Sequence, residues 1–165
     1  MSSDAIVILK QDHKTVKGLF RDFERSGEDL NLKQKLVNEI IEELTVHTYL
    51  ENTIIYPAVR DTLPDLESDV MESYEEHHVA DVLCVELLDL TPDNEHFEAK
   101  TTVLMENVRH HIDEEENDWF PKVREGMGRK ALLELGEQIE AARPDAPHDP
   151  RDAKAMKSAR LAVTA

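Results

Sequence analysis

The chain is poor in cysteine, glycine, aromatic residues and positive charge. Cys84 is the one cysteine in 165 residues, so no internal disulfide can form and nothing requires an oxidising compartment. Lysine and arginine number 19 against 36 aspartates and glutamates, a formal net charge of −17. A nucleic-acid backbone or an anionic membrane surface attracts the opposite sign. No apolar run approaches the ~18 residues of a membrane span. The first charged residues, Asp4 and Lys10, arrive too early for a secretory leader. These absences lead to the expectation of a soluble cytoplasmic protein with neither nucleic-acid nor membrane partners. Its oligomeric state leaves no trace in the sequence.

What is present is helical periodicity. Hydrophobic residues make up 40% of the chain and charged ones 33%, the balance of a folded globular domain. Between Asp4 and Glu24, Ile6, Leu9, Val16, Phe20 and Phe23 recur at spacings of three and four, with His13 filling the one gap. From Leu32 to about Arg60 the seam reads Val37, Ile40, Leu44, His47, Glu51, Ile54. A third stripe, from Leu66 to Leu90, carries Val70, Tyr74, His77, Ala80, Cys84 and Leu87. The fourth, from Pro92 to Arg124, carries Leu104, Val108, His111, Glu115 and Trp119. Period-two alternation is nearly absent, so strands are excluded.

The five glycines and seven prolines fall mainly between or after these stripes, at Ser26-Gly27, Leu63-Pro64 and Thr91-Pro92. The sequence therefore predicts an all-α fold, an up-down-up-down four-helix bundle over residues 1–125. Residues 126–165 read as a C-terminal extension: a short helix from Arg129 to Ala142, a proline-rich linker, then a weak helix or loose tail from Ala153.

The stripes contain residues that a bundle should not bury. One histidine on an apolar stripe is ordinarily a hydrogen-bonded core residue. His13, His47, Glu51, His77, His111 and Glu115 make six such polar residues. A buried carboxylate costs several kcal/mol unless paired or bound to a cation, and no lysine or arginine lies on these stripes near Glu51 or Glu115. A metal ion would answer the charge.

Spacing supports that reading. His47 and Glu51 lie one helical turn apart and share a face, as do His111 and Glu115. Both belong to a repeated pattern, His-x3-Glu-x4-aromatic-Pro, ending in Tyr56-Pro57 and in Phe120-Pro121, with an offset of 64 residues. The same offset carries His13 onto His77 and Asp12 onto Glu76. One helical hairpin thus occurs twice, each copy supplying His, His and Glu. The offset also selects His77 over His78 and His111 over His110; His96 and His148 receive no role. Pro57 and Pro121 read as residues that end or kink their helices or, six residues past each glutamate, fix how that last turn opens; Tyr56 and Phe120 read as core aromatics. Imidazole and carboxylate suit iron, zinc and manganese alike.

Gln11-Asp12-His13, the two His-x3-Glu-x4-[Tyr/Phe]-Pro copies and Glu76-His77-His78-Val79 resemble the hemerythrin-like, or HHE, domain over residues 4 to about 125. The resemblance implies two iron ions, oxo- or hydroxo-bridged. Their ligands would be His13, His47, Glu51, His77, His111 and Glu115, with Glu51 and Glu115 as the bridging carboxylates. Oxygen carriers of the family hold a fifth histidine where this chain has Ser73, so simple reversible oxygen carriage is not expected.

With about six positions per ion, the four imidazoles, two bridging carboxylates and an oxygen bridge leave two positions. Tyr74, three residues before His77, is a candidate for one of them as a phenolate. Alternatively it is a core tyrosine whose hydroxyl bonds a ligand or a water. Either way one position stays open near Tyr74 for a small molecule. The expected function is an oxidoreductase acting on peroxide, dioxygen or nitric oxide. The alternatives are a non-catalytic binder or sensor of oxygen, nitric oxide or iron, and a metal-free helical interaction protein.

Overall fold

The computed structural model of the protein describes residues 3–153. Helix α1 spans Ala5–Glu24, α2 Leu30–Leu50, α3 Tyr56–Thr62, α4 Glu67–Leu88, α5 Phe97–Glu114 and α6 Phe120–Ala142. No strand occurs among the described residues. The α1–α2 and α4–α5 hairpins, the two copies of the repeat, pack into a four-helix bundle. A last helical stretch lies against α1.

Local chemistry sets the helix ends. Asp4 and Asp29 are N-caps whose carboxylates accept the backbone N–H of Val7 and of Leu32, each at 3.0 Å. Gly27 turns the chain between α1 and α2 at a φ of 60°, where a side chain would be strained. The fourth stripe begins later than Pro92. The Asn94 side chain takes the His96 N–H at 2.9 Å, holding a turn until Phe97 starts α5. Gly128 (φ 81°) breaks α6, which separates the expected Arg129–Ala142 helix from the bundle helix before it. That helix buries Leu132, Leu135 and Ile139 in the same apolar cluster as Ile6 and Leu9. The expected weak helix after Ala153 falls outside the described residues.

The opened turn expected after each glutamate is found, without a helix end. Neither Pro57 nor Pro121 ends its helix. Each follows a wide π-helical turn, Glu51–Ile55 or Glu115–Trp119, and the helix then continues as α3 or α6. The N–H groups of Tyr56 and Phe120 bond the carbonyls of Glu51 and Glu115, five residues back. Proline has no N–H to lose, and the wider turn relieves its ring of the carbonyl it would otherwise strike.

The core is divided. One apolar cluster contains Leu9, Leu50, Tyr74, Phe120 and Leu132; the other contains Val16, Phe20, Leu44, Ala80 and Val108. Along every bundle helix the seam passes from one cluster to the other through a histidine: Leu9–His13–Val16, Leu44–His47–Leu50, Tyr74–His77–Ala80, Val108–His111–Trp119. A buried polar layer lies across the middle of the bundle.

Candidate metal centre

All six sequence-predicted residues converge in this layer. Their exposure ranges from 0% for Glu51 to 7% for His111. Two groups form, His13 with His47 and Glu51, and His77 with His111, Glu51 and Glu115, and in each the ligand atoms lie within 4.8 Å of one another. Glu51 spans them, with Oε1 2.9 Å from His47 Nε2 and Oε2 3.2 Å from His77 Nε2. Glu115 spans them in the mirrored sense. Its Oε1 contacts His111 Nε2 and its Oε2 lies 3.9 Å from His13 Nε2. Each carboxylate offers one oxygen to each half, as a bridge requires.

Every imidazole is oriented from behind. His13 Nδ1 lies 2.9 Å from Glu116 Oε1, His47 Nδ1 2.9 Å from Asp12 Oδ2, His77 Nδ1 2.6 Å from Asn52 Oδ1, and His111 Nδ1 3.3 Å from Glu76 Oε1. Each partner atom accepts, so each Nδ1 carries a proton and each Nε2 is the atom turned inward, open to a cation once any proton on it is displaced. Four Nε2 atoms and four carboxylate oxygens therefore face a common centre. His13 Nε2 and Glu115 Oε2 are buried without a hydrogen-bond partner, and His47 Nε2 and Glu51 Oε1 have only each other, at 2.9 Å. Orphaned acceptors of this kind are costly. Cations placed among them would satisfy all four, so the donor set fits metal ions.

The electrostatics agree. Burial opposes charge on His47, but Glu51 and Asp12 outweigh it and raise the imidazole to about 10. Burial and neighbouring His47 press His13 down to about 4. Burial and the Glu51 charge raise Glu115 to about 7. Glu51 is held well below the usual carboxylate range, because His47 and His77 overcome its burial. Without a cation, the layer shares protons in place of one.

Tyr56 is the core aromatic expected, fully buried in the same apolar cluster as Leu9 and Leu50, and it has a polar role besides. Its hydroxyl donates within the site: Glu51 Oε2 lies at 2.8 Å, Glu115 Oε1 at 3.0 Å, His77 Nε2 at 3.2 Å and His111 Nε2 at 3.4 Å. Ser73, at the place of the oxygen carriers' fifth histidine, also hydrogen-bonds this phenol. Burial and the two glutamates push the phenol well above its ordinary pKa. Tyr74 stands beside it, edge-to-face at 5.3 Å between rings.

The missed signal lies in the backbone. At ~100° per residue, five residues of α-helix would carry Tyr56 about 140° away from Glu51. The wider turn brings it back to the same side. Phe120, the matching residue of the second repeat, stacks on His13 at 5.7 Å. His78 and His110 are exposed, as the repeat requires. His96 is exposed too, and His148 pairs at the surface with Glu42 at 2.6 Å.

A cavity of about 20 Å³ adjoins the centre, lined by the four histidines together with Val16, Leu44, Ala80, Val108 and Ile112. It has room for about one water-sized molecule.

A bundle whose buried middle layer repeats His, His and Glu is the architecture of a cation-binding helical domain. The Hemerythrin HHE cation binding domain model matches residues 4–123, and the chain belongs to that family. The crystal structure of a hemerythrin HHE cation binding domain-containing protein from Mycobacterium kansasii superposes with a TM-score of 0.72 at 25% identity, covering 87% of this chain and 86% of that one. An uncharacterized hemerythrin-like protein of Schizosaccharomyces pombe is 23% identical over 90% of this chain and 75% of its own length. A protein of Nostoc named DNA nickase is 24% identical over 82% of this chain; the match spans 38% of that longer protein. Among the described residues no helix is long and apolar enough to cross a membrane.

Proposed function

We propose that the centre holds two iron ions and that the protein is an oxidoreductase acting on hydrogen peroxide, dioxygen or nitric oxide. The observation that carries this reading is the pair of ligand groups spanned by both Glu51 and Glu115. A pair of ions held close can change oxidation state without moving apart, and two carboxylates with an oxygen to each side supply that constraint. His13 and His47 would hold one ion, His77 and His111 the other, with Tyr56 in reach of the second as a phenolate. When bound, such a pair supplies electrons or accepts them.

The chain's own residues do the rest. The outward hydrogen bonds from Nδ1 fix each imidazole's tautomer and aim. The Tyr56 hydroxyl holds a proton at the junction of both carboxylates, where one can be taken up or released. The 20 Å³ cavity is lined by aliphatic side chains as well as by the histidines, Thr48, Glu76 and Asn107, and has room for a small molecule beside the centre.

A sensing role is the second reading, and a specific contact favours it. Arg143, beyond α6, reaches Asp12 at 2.9 Å, and Asp12 holds His47. A change at the centre is thereby linked to the C-terminal segment. The DNA-related name of the Nostoc relative finds no support in a chain of net charge −17.

Metal analysis of aerobically purified protein, with assays of peroxide and nitric oxide consumption, tests the proposal. Two irons per chain with turnover support it. Two irons with stoichiometric binding but no turnover favour the sensor. Absence of bound iron would sink both.

A further inference from the structure

We infer that the two halves of the centre are unequal, and that Glu116 and Asn52 make the His13–His47 half the one that a divalent cation fills first. The inference rests on the metal-site reading and concerns the order of occupation within it.

The repeat supplies the frame. Its offset pairs His13 with His77, Asp12 with Glu76, Asn52 with Glu116, and Tyr56 with Phe120. In space the last two pairs cross over. Glu116 of the second copy backs His13 of the first, and Asn52 of the first copy backs His77 of the second. Both contacts are short, 2.9 and 2.6 Å, so the geometry is matched. The charge is not. A carboxylate accepting an imidazole N–H draws the proton and enriches the opposite nitrogen, making it a stronger donor to a metal. A neutral amide oxygen does this far less.

The other pair nearly balances. Asp12 meets His47 at 2.9 Å, closer than Glu76 meets His111 at 3.3 Å. Asp12 also accepts from Arg143 at 2.9 Å, which neutralises part of its charge. The difference between halves therefore falls mainly on His13 against His77.

The inner residues act in the same direction. Phe120 presents only a ring to His13. Tyr56 places its hydroxyl among His77, His111 and both glutamates. Each half holds a histidine–glutamate pair that a cation must open, His47–Glu51 or His111–Glu115, but only the His77–His111 half also has the Tyr56 hydroxyl on its imidazoles. Glu116 and Asn52 are thus positioning residues, acting on the ions through His13 and His77.

Zinc is a suitable probe, being divalent, redox-inert and diamagnetic. Metal-stripped full-length protein would be titrated with zinc while the ring nitrogens of the four histidines are followed by NMR. Calorimetry would give the two affinities. Loss of an outer hydrogen-bond partner commonly changes metal affinity by about 10–100-fold.

The first equivalent should shift His13 and His47, with the second step at least about tenfold weaker. Glu116→Gln, at a side chain 26% exposed, should bring the two steps within about threefold by weakening the first. Asn52→Asp should narrow the gap by strengthening the second. Tyr56→Phe should keep the order. Simultaneous filling of both halves in the parent protein, filling of the His77–His111 half first, an unchanged gap in Glu116→Gln, or loss of order in Tyr56→Phe would each overturn the inference. Failure to bind zinc at all would instead remove the metal reading on which it rests.

Discussion

Replacing Tyr56 by phenylalanine removes one oxygen from the middle of the buried layer and leaves the ring's packing in place. The hydroxyl has four acceptors within 3.4 Å but a single proton to give. The loss is therefore one charge-assisted hydrogen bond and not several. Such a bond contributes about 1.5–3 kcal/mol net, and the glutamate left behind is buried. A loss of about 2–3 kcal/mol is expected in metal-free protein at pH 8, where both carboxylates are ionised. For a chain of this size that lowers the melting temperature by about 4–12 °C.

A second measurement separates structure from ligation. Iron-loaded parent protein should show a visible phenolate-to-iron charge-transfer band and its resonance Raman signature. Tyr56→Phe should abolish both, and Tyr74→Phe should retain them, because the hydroxyl set among the glutamates and histidines is that of Tyr56. A Tyr56→Phe protein with unchanged melting and an unchanged visible spectrum would refute the placement of that hydroxyl. Loss of the band in Tyr74→Phe alone would return the role to Tyr74.

Three further outcomes are expected. Glu51→Ala or Glu115→Ala should bind fewer than two irons by elemental analysis, whereas His78→Ala and His110→Ala, at exposed positions, should match the parent. Metal-free protein should melt lower at pH 9 than at pH 6. The folded-state value of His47 lies near 10, above its unfolded ~6.5, so its stabilisation is complete below about 6.5 and is lost as pH rises through 10. The raised value of Glu115 adds a loss between its unfolded 4.5 and about 7, opposed below about 6.5 by His13, whose folded value lies near 4. The decisive range is therefore above pH 7, where a melting temperature that climbs with pH would contradict the His47 value. Gly136→Ala should cost about 1–3 kcal/mol in denaturant unfolding, since a Cβ there would lie 2.2 Å from the Ser3 carbonyl oxygen at the start of α1. An unchanged midpoint would show that α6 does not approach α1 so closely.

The helices and the six inner residues were legible because they depend on periodicity, which is local. His47 and Glu51 face one way in any α-helix, and the 64-residue offset supplied the partners from the other copy. What the periodicity concealed was its own interruption. The turns at Glu51–Ile55 and Glu115–Trp119 widen, and a seam counted at constant angle drifts past them. Tyr56 therefore reads as a core aromatic, which it is, while the reach of its hydroxyl into the site is not legible, and Tyr74, on an unbroken helix, reads as the candidate phenol. Pro57 and Pro121 are the visible trace of those turns, since a proline at that place ends, kinks or opens a helix. The outer partners were half legible. Asp12 and Glu76 were seen as matching acids beside the histidines, but Asn52 and Glu116 support histidines from the opposite copy, a relation that exists only after the hairpins pack.

The same crossing accounts for how a repeated unit yields a centre that is not symmetric. Each copy alone supplies two histidines and a glutamate facing an apolar seam, a buried charge without an answer. Packing the copies together places each glutamate between the halves, so neither half is complete without the other. Symmetry is then lost at two positions. The repeat has Tyr56 where its counterpart has Phe120, and Asn52 where its counterpart has Glu116. The ionisable group stands inside the layer on the His77–His111 side and behind it on the His13–His47 side. An inner phenol can join the ligands and hold a proton, whereas an outer carboxylate strengthens an imidazole without occupying a position. The first arrangement favours reaction at the His77–His111 half, the second favours retention at the other. Exchanging both pairs together, with Tyr56→Phe, Phe120→Tyr, Asn52→Glu and Glu116→Asn in one chain, should move the phenolate band to the opposite ion while leaving the melting temperature within a few degrees of the parent.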